Sequence, residues 1–194
     1  MFQSRIHGRG GQGVVTAAEL LSVAAFYDGK FAQAFPSFGS ERTGAPVVAY
    51  ARFDDKPIRL REPVLQPDAL IIQDPTLLHQ VDVFSGIRND GYILINTTKT
   101  WNELGLESLA HSEFDYRRLT VPASEYAMKY VGRPLPNAAL LGGYAAATRQ
   151  VALESVVRAI EERFPTKIAE ANVNAAREAY TFVREQKLEA RTHA

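Results

Sequence analysis

Phe2-Gln3-Ser4-Arg5-Ile6-His7-Gly8-Arg9-Gly10-Gly11-Gln12-Gly13-Val14-Val15 joins a short apolar segment, a glycine run and the start of a helix-forming stretch that continues to Tyr27. A chain that passes from strand to helix over so few residues must turn sharply, and glycine lacks the Cβ that resists such turns. Backbone N–H groups and the positive end of the next helix then face one spot, which favours phosphate. Gly8, Gly10 and Gly13 meet the GxGxxG spacing in the strand-then-helix context that gives this pattern meaning. The competing reading is a connective turn without ligand, because the third glycine of such turns serves helix packing.

Outward from this turn, strand and helix signals alternate. Ser4 to His7 reads as a first strand, Val14 to Tyr27 as a helix closed by Asp28-Gly29, and Phe31 to Phe35 as a second strand. Val47 to Phe53 has β-type composition, Ala69 to Gln73 and Tyr92 to Ile95 are continuous apolar runs suited to strands buried on both faces, and Leu119 to Val121 is a weaker one. After Pro122 the chain turns helical, over Ser124 to Val131 with Ser124 as N-cap, Asn137 to Arg149, Leu153 to Phe164 and Lys167 to Lys187. The small residues Ala138, Ala139, Gly142, Gly143, Ala145, Ala146 and Ala147 imply close approach of that helix to another backbone. The pattern predicts an α/β fold: a single domain with a mostly parallel, doubly wound Rossmann-like sheet, helices on both faces and a helical C-terminal third. The domain is expected over residues 1–188, with a polar tail over 189–194.

Composition narrows the function. With 194 residues, 46% hydrophobic, the chain is long enough for one substantial core. Formal charge is zero, so no long-range field collects nucleic acid or anionic membrane, and no partner of either kind is expected. Cysteine is absent, which removes thiolate metal sites, iron–sulfur ligation and a thiol nucleophile from this chain. Neither a signal-peptide pattern nor a membrane-length apolar run is present, and the expected location is cytoplasmic.

A dinucleotide needs an acidic residue closing the second strand to hold its ribose. Asp28 lies near the expected distance but precedes that strand, which ends in Pro36-Ser37. A second cluster, Ser37, Ser40, Arg42 and Thr43, lies in a Gly-, Pro- and Ser-rich loop that a doubly wound layout places on the same edge as the glycine turn. A guanidinium grips phosphate bidentately and hydroxyls complete the shell; the bland alternative is a solvated turn with Glu41 and Arg42 in surface pairs. Asn137 reads as an N-cap of the small-residue helix whose carboxamide can also face the crevice. His7, His79, His111 and His193 lack metal-ligand spacing, Asp54-Asp55 reads as a hairpin turn, and Trp101 reads as packing. Ser37 lacks the glycines of a nucleophile elbow. No catalytic or metal-binding residue is expected on this chain.

Gly8-Arg9-Gly10-Gly11-Gln12-Gly13-Val14-Val15-Thr16-Ala17-Ala18, the stretch from Gln33 to Val47 around Pro36-Ser37-Phe38-Gly39-Ser40-Glu41-Arg42-Thr43-Gly44, and Pro136-Asn137 before an Ala/Gly helix resemble the gamma subunit of 2-oxoacid:ferredoxin oxidoreductases, the pyruvate:ferredoxin oxidoreductase type. The resemblance spans nearly the whole chain. It implies membership of a hetero-oligomer that oxidatively decarboxylates a 2-oxoacid such as pyruvate with coenzyme A to acyl-CoA and CO2. Thiamine diphosphate and [4Fe-4S] clusters would sit on partners, thiamine-binding alpha and beta type subunits and a ferredoxin-like cluster subunit, with ferredoxin or another acceptor taking the electrons. In fused relatives the equivalent domain helps bind coenzyme A through its glycine turn, the loop after the second strand and an Arg-x-Asn segment. On that basis the cofactor-binding residues expected here are Gly8, Arg9, Gly10, Gly11, Gln12, Gly13, Ser37, Ser40, Arg42, Thr43 and Asn137. Arg133 stands four positions before Asn137 rather than two, so only Asn137 is carried over. Two other classes fit the residues: a stand-alone nicotinamide-dependent oxidoreductase, and a purely structural assembly subunit with an empty turn.

Overall fold

Continuous apolar segments flanked by turns give a sheet of six strands, ordered β2-β3-β1-β4-β5-β6, in the computed structural model, which describes residues 1–37, 43–110 and 114–192. The strands are β1 (Phe2–Arg9), β2 (Phe31–Pro36), β3 (Pro46–Asp54), β4 (Ala69–Ile72), β5 (Tyr92–Asn96) and β6 (Arg118–Val121). Strands β1, β4, β5 and β6 pair in parallel. Strand β3 runs antiparallel to both β1 and β2. Its reversal follows from the length of the connection, because the few residues between Pro36 and Pro46 are too short for the crossover that a parallel pair needs, and a short link returns the chain antiparallel. The loop therefore begins and ends on the carboxyl edge of the sheet, beside the exit of β1.

Alternate residues serve opposite faces. Ile71, Leu94, Leu119 and Val121 join the core beneath α1 (Val14–Tyr27), α4 (Asn137–Thr148), α5 (Leu153–Arg163) and α6 (Thr166–Thr192). Leu70, Ile72, Ile93 and Ile95 face a second cluster closed by a 3-10 turn (Pro75–His79) and by Val83, Trp101 and Leu104. The helical layers are thus unequal: long helices on one face, short turns and α2 (Glu107–Ala110) in the covering segments of the other. Helix α3 (Ala123–Val131) precedes α4.

Every residue of α4 is buried. A Cβ on Gly142 would lie 1.9 Å from the Ala176 carbonyl oxygen of α6, so the small side chains permit the backbone contact that the sequence predicts.

Several local expectations change. Asp54-Asp55 is not a hairpin turn: β4, the next strand, pairs on the far side of β1, and Asp54 instead holds the terminal amine of Met1 at 3.1 Å. Pro122, not Ser124, is the N-cap of α3; Ser124 donates its backbone N–H to Asn96 Oδ1 at 3.0 Å and accepts from Asn96 Nδ2 at 2.8 Å. Helix α6 runs past Lys187 to Thr192.

Candidate functional site

The glycine turn is held from both sides. Gly10 donates to the Ala45 carbonyl at 2.9 Å and accepts from Gly44 N–H at 3.1 Å, and a parallel bridge links Gly10 to Thr43. The two candidate loops are therefore adjacent and tied through their backbones. Ser37 N–H bonds the Val48 carbonyl at 2.8 Å, which keeps this half-buried residue at the same edge, while Thr43 is exposed. Ser40 and Arg42 lie outside the described residues.

Arg9 and Gln12 brace the turn with their side chains. Arg9 Nε donates to Asp74 Oδ2 at 3.0 Å, Nη1 to the Gly44 carbonyl at 3.0 Å, and Nη2 to Thr76 Oγ1 at 2.7 Å and Gln80 Oε1 at 2.9 Å. Gln12 accepts from Arg9 N–H at 2.7 Å and donates to Asp74 Oδ2 at 2.9 Å. Asp74 also accepts from the N–H and hydroxyl of Thr76. Burial pushes the Asp74 carboxyl up, but the bonds from Thr76 and Gln12 and the charge of Arg9 outweigh it and hold the group below the usual carboxylate range. Arg9 and Gln12 thus hold the turn in shape, and the glycine backbones stand open beside them.

Gly13 is the N-cap of α1 at φ 73, a left-handed conformation that suits glycine. It offers no capping side chain, and the first turn of α1 has no acidic residue. The orphan N–H groups and the helix dipole consequently open onto a cleft of about 260 Å³ lined by Arg9, Gly10, Gly11, Gly13, Val14 and Thr16. Asn137 borders this place: a Cβ on Gly13 would meet its Nδ2 at 2.7 Å. Pro136 is the N-cap of α4 and Asn137 is its first residue, buried, with Oδ1 accepting from Ala138 N–H at 3.0 Å. The expected N-cap role is displaced by one position, and the carboxamide lies against the glycine turn. The starts of α1 and α4 converge there.

Two residues in this neighbourhood were not singled out from sequence. Asp74 begins the Asp-Pro-Thr segment after β4, a signal for a 3-10 turn cap but not for its partners across the sheet. Gln73 is 1% exposed, neither Nε2 nor Oε1 has a hydrogen-bond partner among the described residues, and Oε1 lies 3.0 Å from where a Gly8 Cβ would stand.

Asp28 is remote from this edge in function. It accepts from Ala152 N–H at 2.7 Å and from the Ser155 hydroxyl, capping α5. No acid closes β2, so the ribose clamp of a dinucleotide site is missing from its place. His7 is buried on the second face, where Arg5 Nε donates to its Nε2 at 2.9 Å; burial first and the Arg5 charge second lower its pKa to about 3. His79 is exposed, and no group of three potential metal ligands occurs among the described residues. Nor, among them, is any helix long and apolar enough to cross a membrane. A larger depression, about 510 Å³, lies by Val23, Phe26 and Phe31, but its apolar lining offers little to orient a polar ligand.

Residues 3–182 match the family described as pyruvate ferredoxin/flavodoxin oxidoreductase. The chain is 48% identical over 180 residues to the pyruvate synthase subunit PorC of Methanocaldococcus jannaschii, covering 93% of this chain and 96% of that one. It is 46% identical over 180 residues to the pyruvate/ketoisovalerate oxidoreductases common subunit gamma of Pyrococcus abyssi, with the same coverage. Among solved structures it resembles the pyruvate oxidoreductase subunit PORC of Thermotoga maritima, with TM-score 0.78, 35% identity and coverage of 93% and 95%. The fold also recurs, at 13% identity and TM-score 0.69, in a 2-oxoglutarate:ferredoxin oxidoreductase from Magnetococcus marinus solved with 2-oxoglutarate, coenzyme A and succinyl-CoA bound; there it matches 31% of the chain.

Proposed function

Because the chain belongs to the pyruvate ferredoxin/flavodoxin oxidoreductase family, as a gamma-type subunit of a 2-oxoacid:ferredoxin oxidoreductase complex, we propose that its glycine turn forms one wall of a coenzyme A site completed by other subunits. The observation that carries this reading is the convergence of two helix starts, one uncapped, at Gly13 and Asn137, without an acid at the end of β2. Phosphate groups suit such a place, and a ligand whose affinity does not depend on an acid-bound ribose suits it better than a nicotinamide dinucleotide. The residues that would hold coenzyme A are the Gly8–Gly13 backbone, Ser37, Thr43 and Asn137, with Ser40 and Arg42 from the adjoining loop.

Coenzyme A supplies the thiol that accepts the acyl group of the decarboxylated 2-oxoacid. This chain binds and orients it, so its share of catalysis is positional. Thiamine diphosphate and [4Fe-4S] clusters belong to alpha, beta and ferredoxin-like partners in this reading, and ferredoxin or another acceptor takes the electrons in the cytoplasm. The relative that serves both pyruvate and ketoisovalerate oxidoreductases supports leaving substrate choice to partner chains, with pyruvate the first substrate to try. Coenzyme A titrated into the assembled enzyme should bind more weakly when Arg42 and Asn137 are replaced by alanine. Equal affinity in that double variant would refute the assignment.

A further inference from the structure

The sheet edge opposite the glycine turn carries positive charge that the fold leaves unused. Helix α4 ends in Arg149 at φ 56 and ψ 22, and among the described residues this is the one non-glycine residue with positive φ. Glycine is the usual occupant of a left-handed C-cap, so an arginine there points to a use for its side chain. Cations at a helix C-terminus often serve its last carbonyls, but here those are met otherwise. Arg149 N–H bonds the Ala145 carbonyl at 3.0 Å, and Lys187 Nζ bonds those of Ala146 at 3.3 Å and Ala147.

Arg149 and Arg184 both line two adjoining clefts, of about 50 and 510 Å³, together with Tyr180. Neither guanidinium has a hydrogen-bond or ion-pair partner among the described residues. Asp28 reaches the larger cleft, but its oxygens already cap α5. Lys30, on the same rim, donates to the Gln150 carbonyl at 2.6 Å. Two like charges beside each other repel until an anion enters, and a guanidinium fork matches a carboxylate bidentately.

We propose that this depression docks an acidic segment, carrying Asp or Glu side chains or a terminal carboxylate, of another subunit of the same oxidoreductase. The inference rests on the chain being a subunit and is independent of what the glycine turn binds. Charge complementarity selects the partner: the chain is neutral overall, yet this cleft holds two uncommitted cations.

The test combines Arg149→Gly and Arg184→Gln and measures association of the full chain with the remaining subunits at low and high ionic strength. Glycine accepts the φ of position 149, so the variant chain should melt at the same or a higher temperature. Association at low salt should nevertheless weaken by about tenfold or more and lose much of its salt dependence. Unchanged association would overturn the proposal, as would weakening that appears only alongside a lower melting temperature. If inorganic phosphate binds the chain through these two arginines while assembly is indifferent to their loss, the cleft is a small-anion site and the proposal also fails.

Discussion

Replacing Gly13 by alanine tests the turn and its ligand reading together. At φ 73 an L side chain occupies the left-handed region, which costs about 1–2 kcal/mol. The new Cβ would also stand 2.7 Å from Asn137 Nδ2, a contact relieved only if the carboxamide swings away. Gly13→Ala should therefore lower the stability of the chain in urea by about 1–2 kcal/mol from the backbone alone, with a further increment from the displaced amide. The double variant Gly13→Ala, Asn137→Ala removes the contact and keeps the strain. Its cost should be smaller than the sum of the single substitutions, because the two positions touch. Coenzyme A affinity of the assembled enzyme should fall in both single variants, since each disturbs the junction of α1 and α4. A stability loss under about 0.5 kcal/mol would refute the left-handed geometry. The expected stability loss with unchanged coenzyme A affinity would refute the ligand reading while leaving the fold intact.

Gly142→Ala should cost about 3 kcal/mol or prevent folding, because its Cβ meets the Ala176 backbone rather than a movable side chain; a melting temperature equal to wild type would contradict the α4–α6 contact. Asp74→Ala leaves Arg9 Nε and Gln12 Nε2 without their carboxylate and should cost about 1–3 kcal/mol with weakened coenzyme A binding, read by urea melts and ligand titration. His7 is neutral in the fold down to about pH 3 but protonates near 6.5 when unfolded. The unfolded state thus binds the extra proton, and stability should fall as pH drops from 6.5 toward 3, by about 1.4 kcal/mol per pH unit from this group. The slope should flatten in His7→Gln, and identical slopes in the two proteins would exclude the buried neutral imidazole.

The elements legible from sequence are those whose burial writes a one-dimensional signal. Ala69–Ile72 and Tyr92–Asn96 sit between two packed layers and so appear as unbroken apolar runs, and the Ala/Gly content of α4 records its contact with α6. Pairing across the sheet leaves no such signal. Strand β3 is recognisable as a strand, but its place between β2 and β1 depends on partners its own residues do not name, and so Asp54-Asp55 carries a hairpin signal where the chain makes no hairpin. The site shows the same division. The glycines and Asn137 announce themselves locally, whereas Asp74 matters through Arg9 and Gln12, more than sixty residues away, and Gln73 ends an apolar run without further mark.

The way the turn is anchored orders the expected sensitivity of the site. Gly10 is tied to Gly44 and Ala45 through main-chain bonds, and the open N–H groups of α1 are main-chain too. Replacing a side chain removes neither. Ser37 fixes the loop through its own N–H, so Ser37→Ala deletes only a hydroxyl and leaves that tie in place. Asn137 contributes a carboxamide at the junction, and Gly13 sets the path of the backbone that presents the donors. If the ligand is gripped chiefly by oriented main-chain dipoles, loss of affinity should grow from Ser37→Ala through Asn137→Ala to Gly13→Ala. In a site gripped by side chains Gly13→Ala would act only through the amide it displaces, and so would cost no more than Asn137→Ala.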